Sequence, residues 1–320
     1  MRYYIGIDFG GMSVKAGIFN EKGDLLFKDS SATSKEEGYH ATVKKTAALM
    51  RALCQKAGAK EGELAAAGMG TPGVIDGEKG IVVRWTNYDW TDLPFAADLS
   101  AAAGVPVRIS NDANVAALGE AAFGAGKQYK DSILITLGTG IGSGIILGGK
   151  IFEGFCGGGA EAGHMVIVAG GIPCTCGRRG CFEQYASATA LVRDTKRAMF
   201  EAKDSLMWEI AGQDAARVDG RTAFTAAEAG DAAAEKVVKN YVMYLSEGIL
   251  NLVSIFRPQA IIVGGGVSGQ GENLLRPVRR YVGEHLYVDS ERIPLSIVRA
   301  RLGNDAGIWG AYALARGTKE

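Results

Sequence analysis

The chain has 320 residues, 47% hydrophobic and 22% charged, which is enough apolar material for two ordinary domains with packed cores and too much for a disordered chain. Lysine plus arginine equals aspartate plus glutamate at 35 each, so the formal net charge is zero, which argues against a nucleic-acid or anionic-membrane partner. No apolar run approaches the ~20 residues of a membrane span, and the opening residues Met1 to Asp8 read as strand, not as a signal peptide, so a cytoplasmic location is expected.

Residues 3–9 alternate as a strand and run into Gly10-Gly11; residues 14–19 and 25–28 form two further strands, separated by a turn at 21–24. Residues 36–57 place Val43, Thr46, Ala47, Met50, Leu53 and Cys54 on one helical face. Short strands at 64–69 and 105–109 and a helix at 113–123 follow. Near Asp131 the pattern restarts: a strand at 132–137 ends in Gly138-Thr139-Gly140, and another runs over 144–147. Ile5, Ile7, Gly10 and Ile18 align without gaps on Ile133, Ile135, Gly138 and Ile146, an offset of 128 positions (138 less 10). The spacing predicts an internal duplication, two α/β domains of similar topology. The second half continues with a Cys/Gly loop at 170–181, a helix at 187–202, a polar connection at 212–221 and a long helix at 231–256. A strand at 258–263, a helix at 272–284, a strand at 295–298 and a helix at 305–316 complete it. That last helix is expected to pack back on the first domain. The domains are placed at 1–118 plus about 305–320, and at 119–304.

Glycine is the loudest compositional signal, at 46 residues against 7 Pro, and it is bunched at strand ends. In Asp8-Phe9-Gly10-Gly11, glycine leaves backbone N–H groups open to a phosphate, Asp8 can hold a hydrated Mg²⁺, and Lys15 adds a point charge; a plain β-turn is the alternative. Gly138-Thr139-Gly140 is its duplicate, and two such hairpins can grip one polyphosphate. A buried strand runs into Gly264-Gly265-Gly266, which suits a nucleotide's base and ribose; a dinucleotide site is the competing assignment, and it lacks the acidic residue that would end a following strand at the usual distance. Asn111-Asp112-Ala113-Asn114 joins a strand to a helix, and reads either as a helix cap or as a carboxylate aimed at a substrate hydroxyl.

Five cysteines, an odd number in a reducing compartment, argue against a disulfide framework. Cys174, Cys176 and Cys181 crowd one Gly-rich loop, with His164 ten residues before the first. One imidazole and three thiolates make the closed tetrahedral set that Zn²⁺ prefers, so a structural zinc site is expected. It would fix two neighbouring carboxylates, Glu161 and Glu183.

Together these residues resemble the ROK family of repressors, open reading frames and sugar kinases. The likeness covers nearly the whole chain and includes Gly70-Thr71-Pro72-Gly73, Glu161-Ala162-Gly163-His164, the Cys174–Glu183 segment and Leu302-Gly303-Asn304-Asp305-Ala306-Gly307. It implies an α/β, actin-like, ribonuclease-H-like ATPase fold with a cleft between two similar domains, and a homodimer. It implies Asp112 as catalytic base, with Gly73, Asn111, Glu161, His164 and Glu183 as sugar contacts. Asp8, Gly10, Gly11, Lys15, Gly138, Thr139, Gly140, Gly264, Gly265 and Gly266 would contact ATP and its Mg²⁺. His164, Cys174, Cys176 and Cys181 would hold zinc. Met12 stands where the family most often has Thr, which removes one phosphate donor. The segment from Trp85 to Trp90, with Leu93-Pro94, is similar to the glucokinase-like branch. The expected reaction is therefore ATP-dependent phosphorylation of glucose. Family alternatives are N-acetylmannosamine, N-acetylglucosamine, fructose or allose as acceptor, polyphosphate as donor, or a sugar-sensing regulator without turnover.

Overall fold

The computed structural model describes residues 1–11, 13–33, 35–85 and 88–317. Met12, and Thr86 and Asn87 of the aromatic segment, lie outside the described residues. The chain opens with three strands, β1 (Tyr3–Phe9), β2 (Ser13–Asn20) and β3 (Leu25–Ala32), and helix α1 (Gly38–Lys56). Then come β4 (Leu64–Thr71), β5 (Val74–Asp76), β6 (Ile81–Trp85), β7 (Trp90–Leu93), α2 (Phe95–Ala103), β8 (Val107–Asn111) and α3 (Asp112–Phe123). The second pass has β9 (Ser132–Leu137), β10 (Ile141–Leu147), β11 (Lys150–Phe152), α4 (Glu183–Ala186), α5 (Ala188–Glu201), α6 (Leu206–Ile210), α7 (Thr222–Glu228) and α8 (Ala232–Phe256). It ends with β12 (Ala260–Gly264), α9 (Glu272–His285), β13 (Ser296–Arg299) and α10 (Ala306–Arg316). None of the helices, among the described residues, is long and apolar enough to cross a membrane.

The duplication is visible as topology. One five-stranded sheet has the order β3-β2-β1-β4-β8 and the other β11-β10-β9-β12-β13, the same order step for step. The offset of 128 relates the strand ends Phe9 and Leu137 as well as the strand starts Ser13 and Ile141. A third sheet, β5-β6-β7, has no counterpart. The expected strand at 105–109 begins only at Val107, since Pro106 has no N–H to give a ladder. The strand expected at 144–147 starts at Ile141, inside the Gly-rich segment.

Two compact units divide the chain: Met1–Leu134, Gly144–Ala160 and Arg301–Glu320 form one, and Ile135–Ser143 with Glu161–Ala300 the other. In the first, alternation along β1 sends Tyr3, Ile5, Ile7 and Phe9 into a core with Val43, Met50 and Leu53 of α1 and Phe95 and Leu99 of α2. The other face of β1 carries Tyr4, Gly6 and Asp8 and meets α10. A Cβ on Gly6 would overlap the Ile308 carbonyl, and one on Gly68 of β4 the Ala311 carbonyl, so glycine lets α10 lie flat on the sheet. Gly119 and Gly310 do the same between α3 and α10. Phe19 stacks on Tyr312 at a centroid distance of 4.2 Å and closes this side. In the second unit α8 is the central rod, packed by α4, α5, α7 and α9.

Candidate functional site

In the first unit, one strand end and two helix starts bring carboxylates together. Asp8 is at the end of β1, on the face turned to α10, with exposed Lys15 directly across on β2. Burial pushes the Asp8 carboxyl up from 3.8 to about 6; Lys15 pulls it down, and the negative charges of Asp112 and Asp305 push it up further. Gly307, in the first turn of α10, lies against the Asp8 carboxyl, where a Cβ would come within 2.6 Å of its Cγ. Asp8 thus lies against the first turn of α10 and within Coulombic reach of Asp112 at the start of α3. Asp112, the first residue of α3, is also raised by burial, while N–H groups of Ala113 and of its own residue and the Asn111 side chain lower it.

The cap reading of Asn111 is realised in full. Its Oδ1 accepts from the N–H groups of Ala113 (2.9 Å) and Asn114 (3.3 Å), and its Nδ2 donates to the Gly73 carbonyl at 3.0 Å. Gly73 has φ +100°, and a Cβ there would overlap the Arg84 carbonyl, so only glycine fits. Gly10 donates its N–H to the Ser13 carbonyl (2.9 Å), closing the first hairpin. The Gly11 carbonyl accepts from Tyr88 Oη (3.1 Å). Trp85, Tyr88 and Trp90 pack around Phe9, so the aromatic segment buttresses this hairpin.

In the second unit the four expected ligands meet. One ligand atom each from His164, Cys174, Cys176 and Cys181 lies within 4.8 Å of the others. The Cys174 Sγ is 3.6 Å from His164 Nδ1, and the Cys176 and Cys181 sulfurs are 3.6 Å apart. A tetrahedral ion with Zn–S of about 2.3 Å sets ligand spacings of roughly 3.5–4 Å, so the set fits. Gly177 (φ +89°) and Gly180 (φ +83°) allow the tight loop. Phe182, fully buried, presses its ring onto Gly248 of α8 and anchors the loop from below. Burial pushes the Cys181 thiol up to about 12, with hydrogen bonds from Cys176 and Cys174 adding to the rise.

Glu183 joins two of the expected elements. Its Oε1 is 3.3 Å from Cys174 Sγ and 3.9 Å from His164 Nδ1, while a Cβ on Gly140 would come within 2.6 Å of its Oε2. The second hairpin is closed by the Gly138 N–H on the Gly140 carbonyl (3.1 Å), and Thr189 Oγ1 donates to the Thr139 carbonyl (2.7 Å). Gly265 (φ +79°) packs on the backbone of Leu137, setting the end of β12 beside that hairpin; Gly264 closes the strand and Gly266 opens the following turn. Glu161 is exposed at the head of the turn Ala162–His164, whose His164 N–H bonds to its carbonyl at 3.1 Å.

Asp305 carries a role that its motif did not announce. It pairs with Lys28 at 2.8 Å and adds charge at Asp8. The signal is present in retrospect: Asn304-Asp305-Ala306 repeats Asn111-Asp112-Ala113, and each run opens a helix.

The repeated sheet order, with a strand-end carboxylate beneath two helix starts, belongs to the α/β class of actin-like ATPases. Within that class the chain is a member of the ROK family, which it matches over residues 4–318. It is 37% identical over 318 residues to the glucokinase of Streptomyces coelicolor, covering 98% of this chain and 97% of that one. It is 34% identical over 319 residues to the glucokinase of Halalkalibacterium halodurans, covering 98% and 95%. Its fold superposes on the ROK family glucokinase of Streptomyces griseus, solved with glucose and AMPPNP, with a TM-score of 0.80 and 36% identity over 98% of this chain and 99% of that one.

Proposed function

We propose that this chain transfers the γ-phosphoryl group of ATP to a hexose hydroxyl, with glucose as the acceptor and glucose 6-phosphate as the product. The observation that carries the proposal is Asp112: a carboxyl raised by burial, fixed at a strand-to-helix junction, within Coulombic reach of the strand-end Asp8. A raised proton affinity suits a base that takes a hydroxyl proton as the bond to phosphorus forms. The similarity along the whole chain to glucokinases, one of them solved with glucose and an ATP analogue, supports the choice of sugar and donor.

Asp112 orients the acceptor hydroxyl and receives its proton. Asn111, held by the cap and by Gly73, contacts the sugar with its remaining N–H, and Glu161, His164 and Glu183 accept or donate to the other hydroxyls. The hairpins Gly10-Gly11 and Gly138-Thr139-Gly140, Lys15 and Gly264-Gly265-Gly266 contact the nucleotide. Asp8 would hold Mg²⁺, which supplies positive charge to the phosphate oxygens when bound. His164, Cys174, Cys176 and Cys181 would hold Zn²⁺ as a structural ion, since four protein ligands leave no open position. The protein is proposed to work in the cytoplasm as a homodimer, with its two lobes divided near residues 118 and 305. Positioning and electrostatics carry most of the rate in this reaction class.

The test is a panel of glucose, N-acetylmannosamine, N-acetylglucosamine, fructose and allose, each with ATP and with polyphosphate. Glucose with ATP should give the highest kcat/KM. Asp112→Asn should lower kcat by about 10²–10⁴-fold while glucose still binds by calorimetry. Full turnover in that variant, or no turnover with any acceptor in the wild type, overturns the proposal.

A further inference from the structure

Glu120 lies on α3, the helix that begins with Asp112, and it is completely buried. Among the described residues no ion pair includes it. Its partners are backbone donors, two from a distant part of the chain and one five residues further on. Oε1 accepts from the N–H groups of Arg301 (2.9 Å) and Leu302 (2.7 Å), and Oε2 accepts from Ala125 N–H (2.8 Å). Gly124 leaves room for the carboxylate, since a Cβ there would overlap Oε2. Burying a carboxylate is costly unless its lone pairs are filled, and here N–H donors fill them.

The position of those donors gives the residue its meaning. Strand pairing stops at Ala300, whose N–H bonds to the Val263 carbonyl (2.9 Å), and the chain re-enters the first unit at Arg301. Arg301 and Leu302 have no strand to pair with, and Glu120 takes both N–H groups. Next come Gly303 (φ +54°), the 3₁₀ turn Gly303–Asp305 and the start of α10. That short stretch delivers Asp305 and Gly307 to Asp8.

We propose that Glu120 is a positioning residue for the Asp8–Asp305 carboxylate pair: it clamps the chain at Arg301–Leu302 and so sets where Asp305 and the first turn of α10 stand over Asp8. The proposal rests on the reading of Asp8 as the carboxylate that holds the nucleotide's cation. The same helix then fixes Asp112 at its start and, two turns on, fixes the segment bearing Asp305. An acceptor-only group is needed, because three N–H donors converge; a glutamine would turn an NH₂ against at least one of them.

The experiment compares wild type, Glu120→Gln, Glu120→Asp, Asp305→Asn and the Glu120→Gln/Asp305→Asn double variant. Hydrogen exchange without ligands should show the amides of Arg301 and Leu302 exchanging about tenfold faster or more in Glu120→Gln. The Mg²⁺ concentration for half-maximal rate should rise about three- to tenfold, with KM for glucose unchanged. If Glu120 acts through Asp305, its effect on the Mg²⁺ requirement shrinks in the Asp305→Asn background. Equal fold-changes in both backgrounds, or unaltered exchange at 301–302, overturn the proposal. Should Glu120→Gln fail to fold, Glu120→Asp keeps the charge, shortens the reach by one methylene and is read by the same two measurements. A wild-type chain inert toward every hexose would instead remove the reading beneath the proposal, and the acceptor panel reports that before any variant is made.

Discussion

Asp8 couples protonation to folding with a sign opposite to that of most structural carboxylates. Its ordinary value is 3.8, and burial raises it to about 6. The folded chain therefore holds this proton more tightly than the unfolded chain does. The stabilisation that goes with the neutral carboxyl is complete below pH 3.8 and is lost as pH rises through about 6. Carried through, this amounts to about 3 kcal/mol at pH 7.5 and above, the order of magnitude set by about 1.4 kcal/mol for each pH unit. Asp8→Asn keeps the shape and removes the charge. Urea unfolding at fixed ionic strength should find Asp8→Asn close to wild type at pH 4 and more stable by about 2–3 kcal/mol at pH 7.5. Mg²⁺ and nucleotide should narrow the gap, because the wild-type carboxylate then gains a cation. A gap that does not change with pH, or a variant less stable than wild type at pH 7.5, would refute the reasoning. In that case the attraction of Lys15 would have to outweigh burial.

Elemental analysis should find about one Zn²⁺ per chain; Cys174→Ser should lower that content and the Tm together, and a metal-free chain with unchanged Tm would contradict the zinc reading. Gly265→Ala forces a Cβ into the Leu137 backbone at φ +79° and should destabilise the protein by about 2–4 kcal/mol in urea unfolding, whereas a loss under about 0.5 kcal/mol would mean that the strand end yields easily.

Much of this molecule can be read along the chain because its signals are local. The strand–glycine–strand pattern around Gly10 and Gly138 needs only a few residues, and it gave two sheets of identical order. The cysteine loop is equally local, and its four ligands do meet. What escaped depends on partners far away in sequence. The sheet β5-β6-β7 begins with a three-residue strand, Val74–Asp76, too short for alternation to register. Nothing local marks Glu120 on its alanine-rich helix, because two of its three donors lie 181 and 182 positions away. Gly6 and Gly68 look like weak points in two strands until α10 is laid across them. Asn111 caps a helix with its oxygen, as its local motif suggests, while the tie from its nitrogen to the Gly73 carbonyl reaches 38 positions back along the chain.

The seating of α10 on Gly6 and Gly68 has a consequence for biosynthesis. β1 leaves the ribosome about 300 residues ahead of its lid, which at 5–20 residues per second is roughly 15–60 s. Through that interval Phe19 lacks Tyr312, and a strip of aromatic and bare-backbone surface stays uncovered on a nascent sheet. The first unit therefore completes its core only after the second unit has been synthesised, and a chaperone that shields this strip would be expected to raise the yield of native protein.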